Sequence, residues 1–425
     1  MSKLKPFPAT FLWGASTSAH QVEGNNHNQW SDWEFKNAQS LASNSKYFIE
    51  QLNKYGYPIN WAAIKSSAQD PNNYISGNAD EHYEHYAADF QLLKKLKLNS
   101  YRFSVEWSRI QPSKNQWDQT AIKHYHQYIQ ELKQLSIEPI LTIWHWTMPG
   151  WFCELGGFEK KENLKYFYDF VSFIGQEYSQ DLKFIIILNE PNSYTSLGYG
   201  LGLWPPARKN LVLSIKVYRN LMAAHVKSYH LLKQHNSNLQ IGIAMTLSDT
   251  AAAAPNSIVN KLAIKIKDYL WNWWFLDKCR SSLDFIGINF YFKEFINWRF
   301  QLKNPAYPVS DLGAYMEPSA IYSIIKKTWS RYGKTLIITE NGLADSEDKN
   351  RIWWLSETIN ALQLALNDGI NIIGYLHWSL LDNFEWAFGW WPKFGLVKVN
   401  RETQERTIKR SAIWLANKIS ELAKP

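Results

Sequence analysis

Phe184-Ile-Ile-Ile-Leu-Asn-Glu190-Pro-Asn192 and Thr335-Leu-Ile-Ile-Thr-Glu340-Asn-Gly342 are apolar, β-branched runs that each end on a glutamate. Continuous runs of this kind, bounded by turn residues, read as strands buried on both faces, the pattern of a parallel sheet. A glutamate at the exit of such a strand is held by a rigid scaffold. Taken singly, each glutamate could equally cap a following helix or pair with a surface lysine. Two carboxylates held at two strand mouths suit glycoside hydrolysis, which works with such a pair.

Six further runs have the same character, giving eight in all: Phe11 to Ala15, Ser100 to Val105, Pro139 to Trp144, Phe184 to Leu188, Leu239 to Met245, Phe285 to Phe290, Thr335 to Thr339 and Ile372 to His377. Between them lie stretches with apolar residues three and four apart, such as Ala87 to Leu96, Ile122 to Leu135 and Glu357 to Leu366. Strand and helix therefore alternate, and eight such units argue for a (β/α)8 barrel over a doubly wound sheet. The 425 residues then form one α/β domain, with the Asn- and Ser-rich segment 36–78 as an insertion in the first βα connection. In this fold the working residues come from the C-terminal ends of several strands. The candidates at those ends are Gln21 and Glu23, Arg102 and Glu106, His145, Asn189 and Glu190, Asn289 and Tyr291, Glu340, and Trp378.

The composition excludes several classes of function. A net charge of +8 is dispersed among acids, so it reads as a solvated cationic surface and not as a nucleic-acid site. Cys153 and Cys279 lack the spacing of a disulfide framework or a zinc site, and fit a reducing cytoplasm. The N-terminal residues reach proline before any signal-like apolar stretch, and no 18-residue apolar run occurs elsewhere, so neither export nor a membrane partner is expected. Asp80, His82 and Asp89 match no closed metal set and read as solvated helix positions; no metal or other cofactor is expected. The 22 Trp, 23 Tyr and 21 Phe supply flat rings of the kind that pack against the C–H faces of sugars.

Asn189-Glu190-Pro191 resembles the acid/base motif of a large clan of (β/α)8 retaining glycosidases, and Thr339-Glu340-Asn341-Gly342 resembles the nucleophile motif of glycoside hydrolase family 1. The resemblance runs along nearly the whole chain. Phe7 to Ser16 with Gln21-Val-Glu-Gly24, Tyr101 to Ile110, His145-Trp146 with Pro149, Gly287 to Tyr291, Trp378 to Trp386, and Phe394 to Val399 follow the family's order. It implies a cofactor-free retaining β-glycosidase with Glu340 as nucleophile and Glu190 as acid/base, about 5–5.5 Å apart. Arg102 beside Glu340 would keep it ionised, Tyr291 would hydrogen-bond it, and Asn289 and Phe394 would support the site. Gln21, His145, Asn189, Glu385 and Trp386 would bind the hydroxyls of the terminal sugar, with Trp378 as its floor. The charge of Glu340 would keep a proton on Glu190 until the nucleophile is glycosylated.

The chain departs from the family in two places. The connection between the fifth and sixth strands is shorter, and Ala314, with Tyr315 beside it, stands where a tryptophan commonly stacks on the aglycone. Members that accept 6-phosphoglycosides have a small residue where this chain has Glu385 and a lysine where it has Pro392, so a phosphate would meet a carboxylate here. The expected substrates are small β-glucosides, with β-galactosides and β-fucosides as further ones. The alternatives are a 6-phospho-β-glycosidase, a transglycosylase, and a non-catalytic carbohydrate-binding protein on the same fold.

Overall fold

The computed structural model describes residues 5–305 and 307–422. Eight parallel strands close a barrel in which each strand pairs with its sequence neighbours: Leu12–Ser16, Ser100–Ser104, Glu138–Trp144, Phe184–Asn189, Gln240–Thr246, Phe285–Asn289, Thr335–Asn341 and Ile372–Trp378. The last closes on the first, with Leu12 opposite Gly374 and Ser16 opposite Trp378. All eight sequence expectations fall on these strands, with ends moved by one or two residues. The helices expected at 87–96, 122–135 and 357–366 are longer, spanning His82–Lys95, Gln119–Gln134 and Arg351–Asn367. Short strand pairs outside the barrel, Asp249–Ala252 with Lys293–Ile296 and Val397–Val399 with Arg406–Ile408, carry no pattern that distinguished them from loop.

Alternation along each strand divides the core in two. Ile140, Phe184, Ile186, Ala244, Phe285, Ile337 and Leu376 pack inside the barrel, and Phe184 meets Phe285 edge to face at 5.9 Å. The other face of each strand, with Ile185, Ile187, Ile286, Leu336 and Ile338, packs on the surrounding helices. Both faces are buried, which is why the runs are continuously apolar rather than alternating.

Two slips break this alternation near the mouth. On the fourth strand Ile186 pairs with Gly242 but Asn189 pairs with Ala244, so this strand carries one extra residue. On the seventh, Ile338 pairs with Ile288 but Glu340 pairs with Asn289, and Thr339 is the extra residue. Because side chains alternate with a period of two, an added residue reverses the facing of everything after it. Asn189 and Glu340, which strict alternation would turn toward the helices, are thereby turned into the barrel.

Residues 36–78 lie between the first two strands and are mostly helical: Gln29–Lys54, Trp61–Ala68 and a single turn at Pro71–Tyr74. The Asn28 side chain caps the long helix by accepting from the Trp30 and Ser31 amides. Ile49, Ile59, Ile64 and Ala68 bury themselves against Trp391, tying the segment to the connection after the eighth strand.

The reading of Asp80, His82 and Asp89 as solvated positions is overturned, since all three are buried. His82 lies between the Asp89 carboxylate, 2.7 Å away, and the Tyr128 hydroxyl, 2.8 Å away, and Arg406 donates to Asp89 at 2.9 Å. Tyr128 stands on another helix and Arg406 on the outer strand Arg406–Ile408, contacts that local spacing cannot show. Among the described residues neither carboxylate oxygen of Asp80 has a hydrogen-bond partner, and burial holds its pKa well above the usual range.

Close approach at the mouth needs Gly342. A Cβ built there would lie 1.8 Å from the Trp378 carbonyl oxygen. Gly342→Ala must push the seventh and eighth strands apart, and an overpacking cost of about 1–3 kcal/mol is expected. A urea midpoint unchanged from the parent protein would show that the strands do not meet this tightly.

Candidate active site

Arg102, fully buried on the second strand, organises the mouth. Its Nε donates to Thr142 Oγ1 at 2.9 Å, one terminal nitrogen to Glu340 Oε1 at 2.5 Å, and the other to Asn189 Oδ1 at 2.7 Å. Asn289 Nδ2 donates to Glu190 Oε1 at 2.7 Å and also reaches Asn189 Oδ1 at 3.2 Å. Tyr291 donates its hydroxyl to Glu340 Oε2 at 2.6 Å. Both carboxylates thus hang from one network spanning the second, fourth, sixth and seventh strands. The Thr339 hydroxyl holds Asn289 Oδ1 at 2.6 Å, and the Ser16 hydroxyl holds the Thr339 carbonyl at 2.7 Å.

Glu190 opens the turn after the fourth strand with φ 42°, and its amide donates to the Ala244 carbonyl at 2.8 Å. Left-handed backbone recurs at Trp146 (φ 74°) and Trp386 (φ 50°). Conformations of this kind cost about 1–3 kcal/mol each in a non-glycine residue and persist where surrounding contacts fix them.

The polar groups expected to bind hydroxyls line one side of this network. Asn189 Oδ1 is occupied by two donors, so its Nδ2 faces His145 Nε2, 3.0 Å away, and donates to it. The His145 proton then resides on Nδ1, a buried donor with no partner among the described residues. Burial and the nearby Arg102 hold its pKa well below the usual value, so the ring is neutral. The His145 ring stacks with Trp378 at 5.8 Å and Trp386 at 6.1 Å, and Phe394 meets Tyr291 edge to face at 6.0 Å. Gln21 is fixed by Ser18 and by the Phe384 carbonyl, and its Nε2 lies 3.5 Å from Glu385 Oε2.

Burial controls the charge here. It pushes Glu340 up to about 7, helped by the charge of Glu190, while Arg102 and Tyr291 pull the other way. Arg102 pairs with Glu340 and pulls its pKa down, but desolvation is the larger influence. Burial likewise pushes Glu385 up to about 8, and Asn383 and Gln21 only moderate the rise.

The structure brings Gln21, Arg102, His145, Asn189, Glu190, Asn289, Tyr291, Glu340, Trp378, Glu385, Trp386 and Phe394 to this mouth. Two other strand-end candidates are used structurally. Glu23 is held by Arg109 at 3.0 Å and by Tyr125 at 2.9 Å. Glu106 caps the short helix Trp107–Ile110 through the Ser108 amide and also accepts from Thr147 at 2.8 Å. Sequence reading missed Trp30 and Trp204, which back Trp386 at 4.6 and 6.1 Å. No motif flags them, because a buried tryptophan in a loop or helix looks the same wherever it packs.

The family model for glycosyl hydrolase family 1 matches residues 3–282 and 276–423. "Beta-glucosidase A" of Acetivibrio thermocellus is 29% identical over 468 residues, covering 97% of this chain and 98% of the relative. Among solved structures, a "beta-glycosidase from Pyrococcus horikoshii" is 30% identical, with TM-score 0.83, covering 99% of this chain and 98% of that one. A beta-glucosidase of Thermotoga maritima in complex with glucoimidazole is 24% identical, with TM-score 0.86 and 98% and 99% covered, and shares the fold.

Replacing Arg102 by Met removes the positive charge that lowers Glu340 and leaves burial and Glu190, which raise it. The Glu340 pKa, already pushed up to about 7 by burial, should then rise further. Isotope-edited NMR titration of the glutamate carboxyls reads this directly, and an unchanged or lowered value would refute the account.

Proposed function

Because the chain belongs to glycosyl hydrolase family 1, and is thereby a β-glucosidase-type glycoside hydrolase, we propose that it works with retention through a covalent glycosyl-enzyme, removing terminal non-reducing β-D-glucosyl residues. β-Galactosyl and β-fucosyl residues are further substrates in this reading. The observation that carries it is the shared network, Glu190–Asn289–Asn189–Arg102–Glu340, which holds two carboxylates in fixed relation at the strand mouths.

Glu340 is the nucleophile. Arg102 and Tyr291 each engage one of its oxygens, which supports the anion and aims the carboxylate. Glu190 gives its proton to the leaving oxygen as the bond to the anomeric carbon breaks and Glu340 forms the ester. The ester carries no charge, so Glu190 then accepts a proton from water, which attacks the same carbon and releases sugar with its original β configuration. Asn189 has one amide proton on His145 and a second for the sugar's 2-hydroxyl, a contact that strengthens in the transition state. His145 Nδ1 offers a neutral donor, Gln21 and Glu385 supply further hydroxyl partners, and Trp378 and Trp386 offer flat faces to the ring.

The free thiols Cys153 and Cys279 support a reducing, cytoplasmic setting. Glu385, with Pro392 in place of a cation, weighs against 6-phosphoglycosides. Transfer to an alcohol acceptor uses the same residues as hydrolysis, and the presence of both glutamates weighs against a non-catalytic binding role.

Four measurements test this reading. Release of p-nitrophenol from its β-glucoside should fall by several orders of magnitude in Glu340→Gln, and turnover that survives would remove the nucleophile assignment. Glu190→Gln should slow alkyl glucosides far more than activated aryl ones; equal losses would undo the acid/base role, and NMR of the first-formed sugar as the α-anomer would exclude retention. Attack requires ionised Glu340, so kcat/KM should fall about tenfold per pH unit below about 7. A profile flat down to pH 5 would contradict the raised ionisation.

A further inference from the structure

Large apolar side chains that stay exposed are concentrated on one part of the molecule. Among the described residues, thirteen of nineteen lie between 201 and 307, in the connections that follow the fourth, fifth and sixth barrel strands. Those strands are neighbours, and their C-terminal ends carry Glu190 and Asn289, so this rim borders the cleft.

The helix Ile258–Asp268 is turned inside out within it. It buries Asn260 and Ala263, whereas Ile258 is 81% exposed, Leu262 58%, Val259 57% and Ile266 45%. At about 100° per residue these four share one outward stripe, and Lys261 and Lys265 flank it. The orientation is locked from the inner side, where Lys267 binds the hydroxyls of Ser248 at 2.5 Å and Thr250 at 2.6 Å and pairs with Glu294. The neighbouring surface has the same character. Exposed Leu211 and Val212 open the helix Leu211–His235, whose Tyr218 packs on Trp274 and Phe275 at 5.3 Å. Exposed Trp298 lies on the turn after Lys293–Ile296, the strand that pairs with Asp249–Ala252 just before the outward helix.

The charge on this rim is mostly positive. Segments 201–216, 257–270 and 297–305 hold Arg208, Lys209, Lys216, Lys261, Lys265, Arg299 and Lys303, besides Lys267 that is paired inward with Glu294, against the single acid Asp268. Two copies meeting through this face would set the cations against each other. An apolar stripe flanked by lysines matches a surface that is apolar beneath and anionic above.

We propose that this rim docks on the surface of a lipid bilayer bearing anionic headgroups, with the Ile258–Asp268 helix in the interface and the cleft mouth beside it. The expectation of no membrane partner rested on the lack of a spanning run, and among the described residues no helix is long and apolar enough to cross a membrane. Lying on a surface requires no such run.

The test is flotation of the full chain with phosphatidylcholine vesicles made with and without phosphatidylglycerol. Binding is expected to the anionic vesicles and to weaken with salt. The double variant Leu262→Glu, Ile266→Glu should lower the bound fraction about tenfold, while p-nitrophenyl β-glucoside turnover, which reports that the variant is folded, stays at the parent level. No flotation with anionic vesicles, or equal flotation of parent and variant, would overturn the proposal. So would a lipid-free dimer in sedimentation velocity that the same substitutions dissociate, because a second copy would then cover the face.

Discussion

A guanidinium with no access to water must find acceptors for its N–H groups, and the mouth of this barrel is arranged around that requirement. Removing such a group from water costs several kcal/mol even after relaxation. Arg102 meets the cost with Thr142, the Thr339 carbonyl, Glu340 and Asn189, drawn from the third, seventh and fourth strands. The arrangement is reciprocal. Glu340, buried and pushed toward protonation, depends on Arg102 for its anionic form, and Asn189 depends on it for the orientation of its amide. Asn289 then fastens Glu190 to the same frame.

The surroundings add strain and rigidity. Trp146, Glu190 and Trp386 hold left-handed backbone, and each is packed or hydrogen-bonded from several sides. Trp30, Trp146 and Trp204 form one aromatic mass with Trp386 at the mouth. Much of the aromatic content of the chain thus fixes other aromatics, and only part of it faces the cleft.

The barrel was legible in the sequence because burial on both strand faces leaves an unmistakable local signature, as in Phe184 to Leu188. The paired glutamates were legible because strand exit and turn residues flank them. Three things were not. Register slips depend on the neighbouring strand, so nothing in Ile186 to Asn189 alone announces the extra residue. Asp80, His82 and Asp89 sit among polar residues, and the groups that hold His82 and Asp89 from outside their own helix are Tyr128 and Arg406, the latter over 300 positions away. The outward stripe of Ile258–Asp268 has the period of an ordinary amphipathic helix, and periodicity does not say which face is turned inward.

The slips on the fourth and seventh strands divide each of them into two parts with different tolerances. Beneath the slip, Phe184, Ile186 and Ile337 fill a layer that responds to changes of volume and is indifferent to the chemistry above. Beyond it, facing is set by the number of residues, whatever their identity. Deleting one residue between Ile186 and Asn189 would leave the packed layer whole yet turn Asn189 toward the helices. Chain length at two strand ends, more than any side chain of the core, is therefore what sequence divergence in this fold has to preserve.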